Sequence, residues 1–241
     1  MQVVPVIDLK AGFVVHARAG KREHYAPIRS RLCADSTPLG IVRALLDVYP
    51  FASLYVADLD AIEGRGDHAA AIAAIARAFP ALALWVDCGL GDARSCRDWW
   101  ARDYATPVIG TEALRDGTAL REIADEMEAE SWVLSLDYLD AGRAQSRSGF
   151  DPARMIETWP SRVVVMSLRR VGSEMGPDLS RLDEIRAHAG HRGVFVAGGV
   201  RSDEDLRALA EGGASGVLVA TALHDGRLSR AGIAAVASGP A

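Results

Sequence analysis

One βαβ pattern occurs twice in the chain, about half its length apart, and this repetition restricts the fold more than any other feature. In the first copy an apolar run, Leu84 to Asp87, ends at Cys88-Gly89, and after a helical segment a second run, Val108-Ile109, ends at Gly110-Thr111. In the later copy Val194 to Val196 ends at Gly198-Gly199, Glu204 to Glu211 reads as a helix, and Gly216 to Val219 ends at Ala220-Thr221. Gly89 and Gly110 are 21 positions apart, as are Gly199 and Ala220. Short apolar strands that stop at glycine and are followed by a helix form strand-to-helix turns, whose freed backbone N–H groups and helix dipole bind anions without a charged side chain. In a (β/α)8 barrel the turns after strands 7 and 8 commonly hold phosphate. A single glycine pair would equally suit a tight turn with no ligand, but two copies in one chain predict a barrel of two similar halves, approximately 1–120 and 121–241, each with an anion-capable turn.

The 241 residues suit one such α/β barrel, a single-domain TIM barrel with a two-fold internal repeat, for which about 250 residues is typical. Alternating strand and helix segments, with no strand-only region, favour a closed parallel barrel over an open sheet. A net charge of −5 gives no reason to expect nucleic acid. Cys33, Cys88 and Cys96 lack metal-ligand spacing and are expected to be free thiols. No metal cluster, cofactor fingerprint or Ser/His nucleophile pattern is present, so the expected chemistry needs neither metal nor cofactor. The opening MQVVPVIDLK has no long apolar run, which predicts a cytoplasmic protein without a membrane span.

Taken in order, the strands deliver acids to their C-terminal ends, where barrels place their chemistry. Val3 to Ile7 ends at Asp8, and Trp132 to Leu136 ends at Asp137, with Leu9-Lys10-Ala11-Gly12 echoed by Tyr138-Leu139-Asp140-Ala141-Gly142. Asp8 could instead cap a turn or pair with a cation. Ser53 to Ala57 delivers Asp58 and Asp60, which could order neighbouring loops, and Ser202-Asp203 could cap the helix beginning at Glu204. Gly12 to Arg18 alternates like a small strand, followed by a long polar connection to Pro38 in which Arg18, Lys21 and Arg22 could attract an anion. Trp99-Trp100 lie in a helical segment and read as packing residues. Two carboxylates facing each other across a mouth suit proton transfer on a sugar, one removing a proton from carbon and the other donating to oxygen.

These segments carry a resemblance. Val4-Pro5-Val6-Ile7-Asp8-Leu9, Ala57-Asp58-Leu59-Asp60, Ile109-Gly110-Thr111, Leu134-Ser135-Leu136-Asp137, Ala197-Gly198-Gly199-Val200 and Val219-Ala220-Thr221-Ala222-Leu223 are similar to the HisA/HisF family of histidine biosynthesis, nearest its HisA isomerases. The resemblance covers nearly the whole chain. It implies a phosphorylated small-molecule substrate and an Amadori aldose–ketose rearrangement without cofactor. By position it makes Asp8 the general base and Asp137 the general acid, puts Phe150 near a substrate-stacking aromatic, and adds Gly172 to the turns that bind substrate. The chain also departs from that pattern. Asp87-Cys88-Gly89 stands where the family has three glycines, Met166-Ser167 where it has Thr-Asp, and His16 where it has arginine. The Val14 to Glu23 segment resembles a divergent paralogue group of methanogens and methylotrophs associated with one-carbon cofactor biosynthesis, so a different phosphorylated substrate is an alternative. A barrel that binds without catalysis is another.

Overall fold

Strand β1 (Gln2–Lys10) is paired on both sides by parallel neighbours, β3 (Ser53–Asp58) and β9 (Gly216–Val219), and this double pairing closes the sheet. The computed structural model describes residues 1–18, 20–139, 142–146 and 149–237. Between the closing strands the order follows the sequence, through β4 (Ala83–Asp87), β5 (Thr106–Gly110), β6 (Val133–Tyr138), β7 (Arg162–Ser167) and β8 (Gly193–Ala197). Every one of these pairings is parallel, so eight C-terminal strand ends open onto one mouth. The small strand β2 (Phe13–Val15) lies outside the ring and returns antiparallel along β1, with Asp8 opposite Val15.

The helices follow from the pattern of apolar residues and caps. They are α1 (Pro38–Val48), the one-turn α2 (Leu59–Ile62), α3 (Ala69–Ala78), α4 (Ala93–Trp100), α5 (Gly117–Glu126), α6 (Leu179–Ala189), α7 (Asp203–Glu211), the one-turn α8 (Thr221–His224) and α9 (Arg230–Ala237). Thr37, Asp92, Asp116 and Asp178 stand at N-caps, each side chain accepting from an amide inside the first turn. The expected cap at Ser202-Asp203 takes another form. Ser202 holds the N-cap position of α7 without a capping side-chain bond, and Asp203 instead accepts from the Ser229 amide at 3.1 Å and its hydroxyl at 2.6 Å. That contact joins α7 to the start of α9.

Two apolar layers result. One lies between sheet and helices and includes Ile41, Ile72, Leu120, Leu182, Leu206 and Ile233, with Trp99 buried among them while Trp100 is exposed. The other fills the barrel interior. Because side chains alternate along a strand, Val4, Tyr55, Trp85, Val108, Val133, Val164, Phe195 and Leu218 point inward. Trp85 and Phe195 occupy equivalent places in the two halves, and they meet edge to face, 5.0 Å between centroids at 77°. They make the floor of the barrel, and the Arg162 guanidinium lies 5.3 Å from the Trp85 ring. The two-fold character extends to backbone angles: Asp58 and Ser167, ending β3 and β7, share φ −86° and ψ 88° and each precedes a single helical turn.

Phe195 leaves no room at Gly216, where an added Cβ would come within 2.2 Å of its ring and 3.0 Å of the Gln2 carbonyl oxygen. Gly216→Ala should therefore overpack the floor and cost about 1–3 kcal/mol. Urea unfolding checks this, and an unchanged midpoint would show that the ring can move aside.

Candidate functional site

The inward alternation that builds the floor ends, at the mouth, in acids. Val4, Val6 and Asp8 share one face of β1, Trp85 and Asp87 one face of β4, and Val133, Ser135 and Asp137 one face of β6. Asp8 and Asp87 are both in register with Ala57 of the strand between them, so only a methyl group separates their levels. Asp137 is level with Met166 and, through it, with Ala197. Between Asp87 and Asp137 stands Gly110, where a Cβ would lie 3.2 Å from an oxygen of each. Any larger residue there would press on both carboxylates. All three acids line one cavity of about 720 Å³ at the mouth.

Each acid has its own surroundings. Asp137 is 6% exposed and accepts from the Ser135 hydroxyl at 2.8 Å, and from the Thr111 hydroxyl and the Glu112 amide, each at 3.4 Å. Burial, then the charges of Glu112 and Asp87, push its pKa up to about 7. Asp87 accepts from the Gly89 amide at 3.1 Å and from the Tyr55 hydroxyl at 3.3 Å, and burial raises it to about 6. Asp8 has no hydrogen-bond partner among the described residues. Burial raises it to about 7, against the attraction of Arg22. Burial thus raises all three carboxyls toward neutral pH, and the charge of Asp87 adds to the rise at Asp8 and Asp137.

The connection from β2 to α1 arches over this cavity. Arg22, in a single 3-10 turn (Arg22–His24), pairs with Glu112, and Lys10 donates to the Arg22 carbonyl at 2.6 Å. Farther along, Ser30 is 3.0 Å from Nδ1 of the buried His224, and His16 is 3.2 Å from the Thr221 hydroxyl. The hairpin that starts the arch is held from the other side. His68 Nδ1 donates to Asp58 at 2.7 Å, its Nε2 accepts the Gly12 amide at 2.9 Å, and Asp60 accepts the Ala11 amide at 2.8 Å. Asp58 and Asp60 thus order neighbouring loops.

Of the residues singled out from sequence, Asp8, Asp137, Gly172, Gly198, Gly199, Ala220 and Thr221 line the cavity. Gly198 and Gly199 have φ of 102° and 87°, and a Cβ at Gly199 would lie 2.1 Å from the Gly176 carbonyl oxygen, so this turn is tightly packed from behind. Thr111 is fully buried behind Asp137, and Gly89 packs its Cα face against Ile62. Phe150 lies near Gly117 in the outer layer and is not among the cavity-lining residues. Asp140 and Ala141 are outside the described residues. Sequence reasoning passed over Tyr55 and Glu112, both at the cavity. Inward alternation from Ala57 pointed to Tyr55, and comparison of Gly110-Thr111-Glu112 with Ala220-Thr221-Ala222 pointed to Glu112.

Between pH 3.8, the ordinary carboxyl value, and about 6 the folded protein holds a proton on Asp87 that the unfolded chain has released, so stability falls as pH rises through that window. Asp87→Asn keeps an acceptor for Gly89 and offers an amide to the Tyr55 oxygen. It should be more stable than the parent by on the order of 1–3 kcal/mol at about pH 8, and the gain should vanish near pH 4. Urea titrations at the two pH values measure it.

Comparison with known proteins places the chain among relatives. The chain is 30% identical over 94% of its length, and 95% of the relative's, to a Deinococcus radiodurans protein named 1-(5-phosphoribosyl)-5-((5-phosphoribosylamino)methylideneamino)imidazole-4-carboxamide isomerase. It is 31% identical to the Rhizorhabdus wittichii protein of the same name, over 98% of both chains. An uncharacterized protein of Methanocaldococcus jannaschii is 28% identical over 95% of both. Among the described residues no helix is long and apolar enough to cross a membrane. Residues 2–229 match the histidine biosynthesis protein family, and the chain belongs to that family.

Proposed function

We propose that the protein is a cofactor-independent aldose–ketose isomerase that rearranges a phosphorylated aminoaldose to the aminoketose, with Asp8 as base and Asp137 as acid. The observation that carries this reading is the pair of carboxylates at equivalent strand ends of the two halves, both raised to about 7 and lining one cavity with the Gly198-Gly199 and Ala220-Thr221 turns. General acid–base groups work best with pKa near the operating pH. The isomerase names of the Deinococcus and Rhizorhabdus relatives support the reaction class.

The electrostatics divide the roles. After burial, the largest influence on Asp8 is Arg22, which favours the ionised, proton-accepting form. For Asp137 it is Glu112, which favours the protonated, proton-donating form. Asp137 gives its proton to the ring oxygen of the aminoaldose as the C1–O bond breaks and the nitrogen lone pair forms a C=N bond. Asp8 then removes the proton from C2, and those electrons form an enolamine that tautomerises to the aminoketose. The proton gained by Asp8 balances the one lost by Asp137, and solvent exchange resets the pair. Phosphate is held by the backbone amides at Gly199, Val200 and Thr221, which have no partner among the described residues.

Asp8→Asn and Asp137→Asn should each fold and lose at least about 100-fold in rate, the low end for a positioned acid or base. A suitable assay follows by NMR the rearrangement of the N-phenyl ribosylamine 5-phosphate formed from ribose 5-phosphate and aniline. A rate within tenfold of the parent in both variants would remove the acid–base pair.

A further inference from the structure

Ala197, Gly198 and Gly199 at the end of β8 correspond, 110 positions earlier, to Asp87, Cys88 and Gly89 at the end of β4. Ala220, Thr221 and Ala222 correspond in the same way to Gly110, Thr111 and Glu112. The two halves share part of their turn geometry, although Gly198 has φ of 102° where its counterpart Cys88 has no positive φ. Gly89 and Gly199 have φ of 76° and 87°, and the Ala113 and Leu223 amides each donate at 3.0 Å, to Gly110 and Ala220 respectively. They differ in what their other amides meet. In the second half the amides of Gly199, Val200 and Thr221 have no partner among the described residues. In the first half, Gly89 donates to the Asp87 carboxylate at 3.1 Å, Thr111 to the Ser135 carbonyl at 3.0 Å and Glu112 to the Asp137 carboxylate at 3.4 Å.

Both departures that fill this turn replace an alanine by an acid, Asp87 for Ala197 and Glu112 for Ala222. The cation nearest them, Arg22, is already paired with Glu112. We infer that Asp87 and its neighbours close the first-half turn to phosphate, so that the substrate carries one phosphate, seated at the Gly199–Thr221 end, and no second anionic group. A phosphate brought to the Asp87 end would find the Gly89, Thr111 and Glu112 amides taken, leaving the Leu90 amide, and would face a carboxylate in a cavity where water screens poorly. The inference rests on the proposed phosphate seat at the second-half turn, and it makes Asp87 a specificity-determining residue.

Calorimetric titration at about pH 8 tests it with two probes, ribose 5-phosphate and ribulose 1,5-bisphosphate, on the parent, Asp87→Asn and the double variant Asp87→Gly with Cys88→Gly, each first checked for cooperative urea unfolding. The parent should bind the bisphosphate no more than about threefold tighter than the monophosphate. Removing the carboxylate should raise that preference, and the glycine pair, which removes both side chains and restores the second-half residue at Cys88, should raise it at least tenfold. A parent that already prefers the bisphosphate by tenfold, or an unchanged preference in folded variants, overturns the inference while leaving the proposed isomerase intact. If the double variant does not fold, Asp87→Asn alone decides. A parent that binds neither probe removes the phosphate seat, and both readings fall together.

Discussion

Parallel closure is the constraint on which the rest depends. Once β1 pairs with both β3 and β9, every strand runs the same way, and the last inward side chain of each must share one mouth. Residues distant in sequence, such as Asp8, Asp87 and Asp137, are then forced into mutual electrostatic contact whether or not their individual strands favour it. Burial raises all three, and Asp87 makes both Asp8 and Asp137 harder to ionise. The same geometry that concentrates repulsion also supplies its remedy, because protons shared among close carboxylates are available for chemistry.

Much of this was legible from the chain alone, for reasons tied to particular residues. The strand ends at Asp8 and Asp137 were readable because buried parallel strands are continuous apolar runs that stop abruptly at the first carboxylate. The repeat exposed the turn at Gly198-Gly199 because glycine there meets a backbone requirement, and the observed φ values show it. What stayed hidden was set by contacts between segments. Ser202 reads as a capping residue locally, but Asp203 is drawn away by Ser229, 26 positions on. Phe150 follows a glycine as a loop aromatic would, yet packs near Gly117 because the chain around it folds back onto the outer layer. Arg22 reads as a loop cation that could attract an anion, and its pairing with Glu112 comes from the arch, which periodicity cannot see.

The arch and its tethers place the site between two fixed bodies. On one side His68 accepts the Gly12 amide while donating to Asp58, which sets the tautomer and holds the hairpin next to Asp8. On the other, Ser30 and His16 reach the short helix that carries Thr221. Asp8 and the turn at Thr221 are therefore connected through one continuous segment.

The floor shows where the two similar halves differ in shape. Trp85 and Phe195 are the same position in the two halves, but one is an indole and the other a phenyl, and the position facing Phe195 across β9 has shrunk to glycine while its counterpart is Thr106. A chain made of two copies of either half would set two large or two small rings on the axis, with steric excess in one case and a void in the other. The floor is filled by unlike rings from the two halves, an indole from one and a phenyl from the other, so the halves are not interchangeable there.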